Sequence, residues 1–154
     1  MARLMFLAWE RLLPFDSCDA VVPVPLHPAR ERERGFNQAQ RIAAPFADLM
    51  QKPLLEGVVA RVRPTQTQTA LSLPERIENV DGAFAPHPEA ARDALAGKSV
   101  ALIDDVCTTG ATGSACAHAL KQAGAERVVL LTFARAALEP SEGRGKPEGK
   151  TGAS

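Results

Sequence analysis

Residues 100–113 read VALIDDVCTTGATG. Four apolar residues run into two adjacent aspartates, Asp104 and Asp105, and then into a turn of Thr, Gly and Ala. SVALID at 99–104 is the strongest strand signal in the chain. Residues 112–123 have helical character, and Gly124 suits the C-terminal end of that helix. RVVLLTF at 127–133 is a second buried strand. Strand, helix and strand in this span make a βαβ unit, which predicts parallel strands and an α/β fold.

In such a sheet, ligands bind at the carboxyl ends of the strands, where the acid pair falls. The small residues after it let a ligand approach the backbone. Backbone N–H groups at the helix start, with the hydroxyls of Thr108, Thr109 and Thr112, suit a phosphate. The helix dipole adds about 0.3–1 kcal/mol when exposed. Two carboxylates beside an anion site make sense if the ligand spans both. A sugar phosphate does so, with its phosphate on the N–H groups and its hydroxyls on the carboxylates. Carboxylates also suit Mg²⁺, directly or through water, and can stabilise positive charge developing on a sugar carbon. A P-loop is excluded because no Lys follows the turn, and a dinucleotide fingerprint because only Gly110 and Gly113 are present. A receiver domain draws its acids from separate strands.

Outward from this segment, AVVPVP at 20–25 is a strand that ends in a proline-shaped loop. LHPARERERGFNQ follows, polar and rich in Arg. Its alternation of Arg30, Arg32 and Arg34 with Glu31 and Glu33 is the pattern of a solvated charged stretch. From Asn37, a good N-cap, a helix is predicted over 39–50. Ile42, Phe46 and Leu49, with Ala43 and Met50, share one face, and Pro45 should kink or break it. LLEGVVA at 54–60 is a second short strand. Residues 61–83 lack the periodicity of a core element. A polar stretch this long suggests a lid or binding loop, in which Thr65, Thr67 and Thr69 alternate as in one arm of a hairpin.

With 154 residues the chain is sized for one domain. Lys plus Arg and Asp plus Glu number 18 each. That balance argues against nucleic-acid binding through overall charge. With six Phe, one Trp and no Tyr, stacking platforms for single strands are scarce. Cys18, Cys107 and Cys116 form no C-x-x-C pair, which fits a reducing compartment, and the expected location is the cytoplasm. Cys107 is read as a small residue filling the turn, and Cys116 as core. His27, His87 and His118 have no ligand spacing. The opening MARLMFLAWERLLPFD is too short to span a membrane and lacks a signal-peptide cleavage pattern. It is read as a helix packed on the domain. The expected organisation is a lead-in over 1–15, the main domain over 16–137 and a disordered tail over 138–154, rich in Gly, Pro, Glu and Lys.

VALIDDVCTTGAT resembles the phosphoribosyl-pyrophosphate (PRPP) signature of type I phosphoribosyltransferases. PVPLH at 23–27, RGFNQ at 34–38 and the R-x-T-x-x-Q-x-x-L-x-x-x-x-R-x-x-N pattern from Arg63 to Asn79 resemble the ComF/GntX branch of that group. The resemblance spans about residues 16–136. It implies a type I phosphoribosyltransferase-like α/β fold, a central parallel sheet flanked by helices with a flexible lid.

It further implies that Asp104 and Asp105 hold the ribose hydroxyls of PRPP at the catalytic centre. Thr108, Thr109, Gly110, Ala111 and Thr112 would wrap the 5′-phosphate. Pro23, Val24 and Pro25, in the loop that starts at Val22, would face the pyrophosphate, with phosphate contacts from Arg30 and Arg34. Arg63, Thr65, Gln68 and Arg76 would lie on the lid. Mg²⁺ would arrive with PRPP. Members of the branch are linked to DNA uptake in competence and to nucleotide metabolism. Many begin with a cysteine-rich zinc-binding segment, and this chain starts near the end of that lead-in. The resemblance therefore implies PRPP binding more directly than turnover of an acceptor. A phosphoribosyl transfer leads. A PRPP- or nucleotide-binding regulator and a single-stranded DNA accessory of a helicase-type partner stand as alternatives.

Overall fold

The computed structural model describes residues 1–13, 18–64, 73–88 and 90–135. In chain order the elements are α1 (Ala2–Leu12), β1 (Ala20–Pro23), α2 (Pro28–Arg34), α3 (Gln38–Met50), β2 (Val59–Arg61), α4 (Leu73–Val80), β3 (Phe84–Pro86), α5 (Ala90–Leu95), β4 (Ser99–Cys107), α6 (Ala111–Gln122) and β5 (Arg127–Arg135). The expected boundary near residue 15, the Thr65/Thr67/Thr69 alternation and the tail over 138–154 lie outside the described residues.

β4 is the centre of a three-stranded sheet of order β1–β4–β5, and both pairings are parallel. Leu102 stands opposite Val22 on one side and Leu130 on the other. A strand buried on both faces is apolar at every position, as VALI at 100–103 is. Alternation sorts these residues between two cores. Val100 and Leu102 join Val22, Leu95, Leu120 and Cys116 on the face covered by α6. Ala101 and Ile103 join Val21, Ile42, Phe46 and Met50 on the face covered by α1 and α3. There Trp9 of α1 meets Phe46 edge to face, with ring centroids 6.0 Å apart. The opening helix therefore packs on the domain, as expected from sequence.

Several elements depart from the sequence expectations. The strand predicted over 99–104 continues through both aspartates to Cys107, because β5 supplies ladder partners as far as Arg135. Pro45 does not break α3, which runs unbroken to Met50. Pro45 and Arg41 lie on the exposed side, where water can satisfy the carbonyl that loses its N–H partner. Met50 is buried, while Leu49 is 41% exposed. The Arg-rich stretch is the helix α2, capped by His27, whose Nδ1 accepts from the Ala29 N–H. It buries no residue, so no apolar pattern announced it. Residues 54–60 divide: Leu54 bridges to Val21 of β1, whereas Val59–Arg61 pair antiparallel with Phe84–Pro86 in a separate arm. Gly57, at φ +71°, lies between the two pairings. The 61–83 stretch also holds the helix α4, too short for its periodicity to stand out.

Candidate functional site

Because β4 stays regular through the acid pair, its two carboxylates leave on opposite faces. Asp104 continues the row of Val100 and Leu102, and Asp105 that of Ala101 and Ile103. Each is tied to the following backbone N–H. The Asp105 N–H donates to Asp104 Oδ1 at 2.9 Å, and the Val106 N–H to Asp105 Oδ1 at 2.8 Å. Burial pushes the Asp104 carboxyl up to about 7, assisted by the charge of Asp105 and opposed by the Asp105 N–H and by Arg61. Burial likewise lowers Arg61, and the charge of Asp104 opposes that shift. Cys116, on α6 behind them, is pushed up to about 12 by burial and by Asp104. Such a thiol is inert core.

The turn after the acids is built on two glycines. Gly110 sits in the left-handed region at φ +83° and begins α6 without a side-chain cap. Thr109 Oγ1 accepts from the Ala111 N–H at 3.3 Å. Gly113 is small where α6 lies close on β5: a Cβ there would run into the Leu130 side chain. The proline loop hangs from the same strand. The Val24 N–H donates to the Ile103 carbonyl at 2.9 Å. Asn37 Nδ2 donates to the Val24 carbonyl at 3.0 Å, and Asn37 Oδ1 accepts from the Ala39 N–H at 3.0 Å. Asn37 is thus the N-cap expected from sequence and also the tie between α3 and the loop, a second role that needed the fold to be seen.

These parts enclose a cavity of about 560 Å³. Val24, Pro25, Arg30, Arg34, Asp104, Asp105, Thr108, Gly110, Ala111 and Thr112 all line it. Pro23 lies within β1 and Thr109 supports the turn; neither is in the cavity wall. Arg63 turns to the end of α4, where it donates to the carbonyls of Glu78, Asn79 and Asp81. There it meets the negative end of the helix dipole. Arg76 is in α4, and Thr65 and Gln68 fall outside the described residues. Sequence reasoning missed Arg61, the last residue of β2, which also lines the cavity. The signal available was an arginine closing the apolar run VVA.

A second cavity of about 410 Å³ adjoins the first and shares Arg34, Gln38, Asp105 and Val106 with it. Phe36 and Phe133 line this one, each 39% exposed, and Val106 is 45% exposed. The Arg41 guanidinium lies 4.9 Å over the Phe36 ring. Among the described residues, no group of three or more His, Cys, Asp and Glu side chains is gathered to hold a metal. No helix among them is long and apolar enough to cross a membrane.

No family model matches the chain. Among curated proteins it is 34% identical over 139 residues to competence protein F of Haemophilus influenzae, a match covering 88% of this chain and 60% of that protein. It is 32% identical over 117 residues to the DNA utilization protein YhgH of Escherichia coli K12, covering 76% of this chain and 49% of that one. The chain thus spans about half to three fifths of these relatives. Among solved structures, it superposes on a purine phosphoribosyltransferase from Pyrococcus horikoshii with a TM-score of 0.52 at 13% identity, over 87% of this chain and 69% of that one. The glutamine PRPP amidotransferase of B. subtilis gives 0.51 at 21% identity, over 83% and 24%. With strand, acid pair and Thr-Gly turn in their expected places, the chain belongs to the family of competence protein F and has the type I phosphoribosyltransferase fold.

Proposed function

We propose that the chain binds PRPP, with its Mg²⁺, and handles or transfers the 5-phosphoribosyl group with loss of pyrophosphate, in the service of DNA uptake or nucleotide metabolism. One observation carries this reading: the acid pair, the Thr-Gly turn, the proline loop and Arg30 and Arg34 line a single cavity. The 5′-phosphate takes the N–H groups at the start of α6. The ribose hydroxyls donate to Asp104 and Asp105. In the transfer, an acceptor lone pair forms a bond to the anomeric carbon as the bond to the pyrophosphate oxygen breaks, and pyrophosphate leaves with that electron pair. The carboxylates stabilise the positive charge that develops on the sugar. The acceptor enters from the second cavity, which opens on Asp105. The cytoplasm is the proposed location, in keeping with cysteines that form no disulfide among the described residues.

The names of the relatives, which speak of competence and DNA utilization, favour a second reading, a single-stranded DNA accessory to a helicase-type partner; a sensor that binds PRPP or a nucleotide without chemistry would use the same pocket. Calorimetric titration of PRPP with Mg²⁺ tests the PRPP assignment, and its failure would move the weight to the DNA accessory. The wild-type chain should bind, and an Asp104→Asn/Asp105→Asn double variant should bind at least tenfold more weakly, about 1.4 kcal/mol. No binding by a folded wild-type chain overturns the PRPP assignment. Pyrophosphate release on adding acceptors separates the enzyme from the sensor.

A further inference from the structure

The helix α1 is apolar on two sides. Met5 and Trp9 face inward and pack on α3 and the sheet. Leu4, Leu7 and Ala8 stand on the opposite side, one helical turn apart, and all three are exposed. Leu4 is 62% exposed, and Leu12 at the end of the helix is 79% exposed. A surface helix keeps its outer face polar, and a helix that is apolar all round is a buried one. The outer side of α1 therefore has the composition of a face that is covered.

The charges on that side say what covers it. Arg3 stands in the first turn and Glu10 in the last, each beside the end of the helix dipole that disfavours it. They share one edge of the outer face, about 10 Å apart along the axis and too far to pair with each other. Neither makes an ion pair among the described residues. A second copy of α1 laid antiparallel about a two-fold axis relieves both. In the register that sets Arg3 opposite Glu10 of the second copy, the symmetry makes that pair twice. A two-fold axis keeps each edge on its own side, so the apolar edges also meet. The same register sets Met1 opposite Leu12 of the second copy, while Leu4 and Leu7 interleave with their copies. Arg11 falls opposite the first turn of the other helix, where its long stem leaves the charge in water. Met1 also lines the second cavity, so the second copy brings its Leu12 to the rim of that cavity. We propose that the chain forms a two-fold dimer through the outer face of α1. Its formation needs no PRPP.

Sedimentation of the full chain over a range of concentrations tests this, at low ionic strength because salt screens exposed ion pairs. The wild-type chain should pass from one mass to twice that mass as concentration rises. Leu7→Glu, which sets two like charges beside the axis, should leave a monomer. Its thermal melt should match that of the wild type at a concentration where both are monomeric. Arg3→Glu alone and Glu10→Arg alone should each raise the dissociation constant by about tenfold or more. The Arg3→Glu/Glu10→Arg double variant should restore the dimer, because the pairs re-form with their signs exchanged. A wild-type chain that stays monomeric throughout, a dimer indifferent to Leu7→Glu, or a double variant as weak as the single ones would overturn the proposal.

Discussion

The two faces of the sheet receive alternate residues of one strand and put them to different uses. On one face, Ala101 and Ile103 pack under Trp9, Phe46 and Met50, and the row ends in Asp105 at the rim. On the other, Val100 and Leu102 pack under Leu95, Leu120 and Cys116, and the row ends in Asp104, half-buried in a cavity that Arg61 also lines. The first face is closed by two helices and an aromatic pair. The second is covered by α6 and by an arm that brings Arg61 into the wall of the same cavity as Asp104. The two acidic side chains start from opposite faces of the strand, yet both line one cavity at its end, where the charge of Asp105 helps to raise Asp104. One face holds the fold together, and the other carries a charged group at some cost to it.

If that division holds, substitutions on the two faces should have opposite signs. The largest effect is expected at Trp9, which is fully buried. Trp9→Ala should destabilise the chain by about 3–5 kcal/mol, measured by urea unfolding, with PRPP affinity unchanged in the fraction that remains folded. A stability loss under 1 kcal/mol would mean that α1 is an appendage rather than half of the core.

Asn37 stands where α3 meets the site. Asn37→Ala removes a helix cap and leaves the Val24 carbonyl without its amide donor. The expected cost is about 2 kcal/mol, accompanied by weaker PRPP binding as the proline loop loosens. Loss of stability with full affinity would show that the loop is held by its bond to Ile103 alone.

The smallest effect has the opposite sign. Asp104 has a folded-state value of about 7, raised from 3.8. Between those values the folded chain keeps a proton that the unfolded chain has lost, so stability falls as pH rises through that window and stays lower above it. Asp104→Asn should therefore stabilise the chain above pH 7, by about 1 kcal/mol after allowing for solvent at the open cavity, or about 2–4 °C in melting temperature. The gain should shrink as pH falls toward 4. Thermal melts at pH 8 and pH 4.5 measure it, and a lower melting temperature for the variant at pH 8 would contradict the division between the faces.

The same contrast explains what was legible in the sequence. The strand, the acids and the turn lie within fourteen consecutive positions, and each residue type has a local reason to be there. Their order therefore gave the βαβ unit and the resemblance to the phosphoribosyltransferase signature, while the family came from the flanking motifs at 23–27, 34–38 and 63–79. Asn37 was legible as a cap for the same reason. The arm was not. β2 and β3 are three residues each and pair across a gap of more than twenty. Arg61 acquires its place only when Phe84 arrives beneath it, which sets it in the wall of the cavity that Asp104 also lines. Arg63, two positions away in the same run, faces the carbonyls of α4 instead. Nothing local distinguishes those two arginines. α2 was hidden for another reason: with no buried residue, its helix depends on a cap, Pro28 and Gly35 rather than on an apolar stripe.

The most direct measurement is a crystal structure of the chain with PRPP and Mg²⁺. The 5′-phosphate should lie on the backbone N–H groups of residues 108–112, with the ribose hydroxyls on Asp104 and Asp105 and the anomeric carbon toward the cavity of Phe36 and Phe133. Density for PRPP elsewhere on the molecule, or a ligand whose ribose makes no contact with either aspartate, would contradict it.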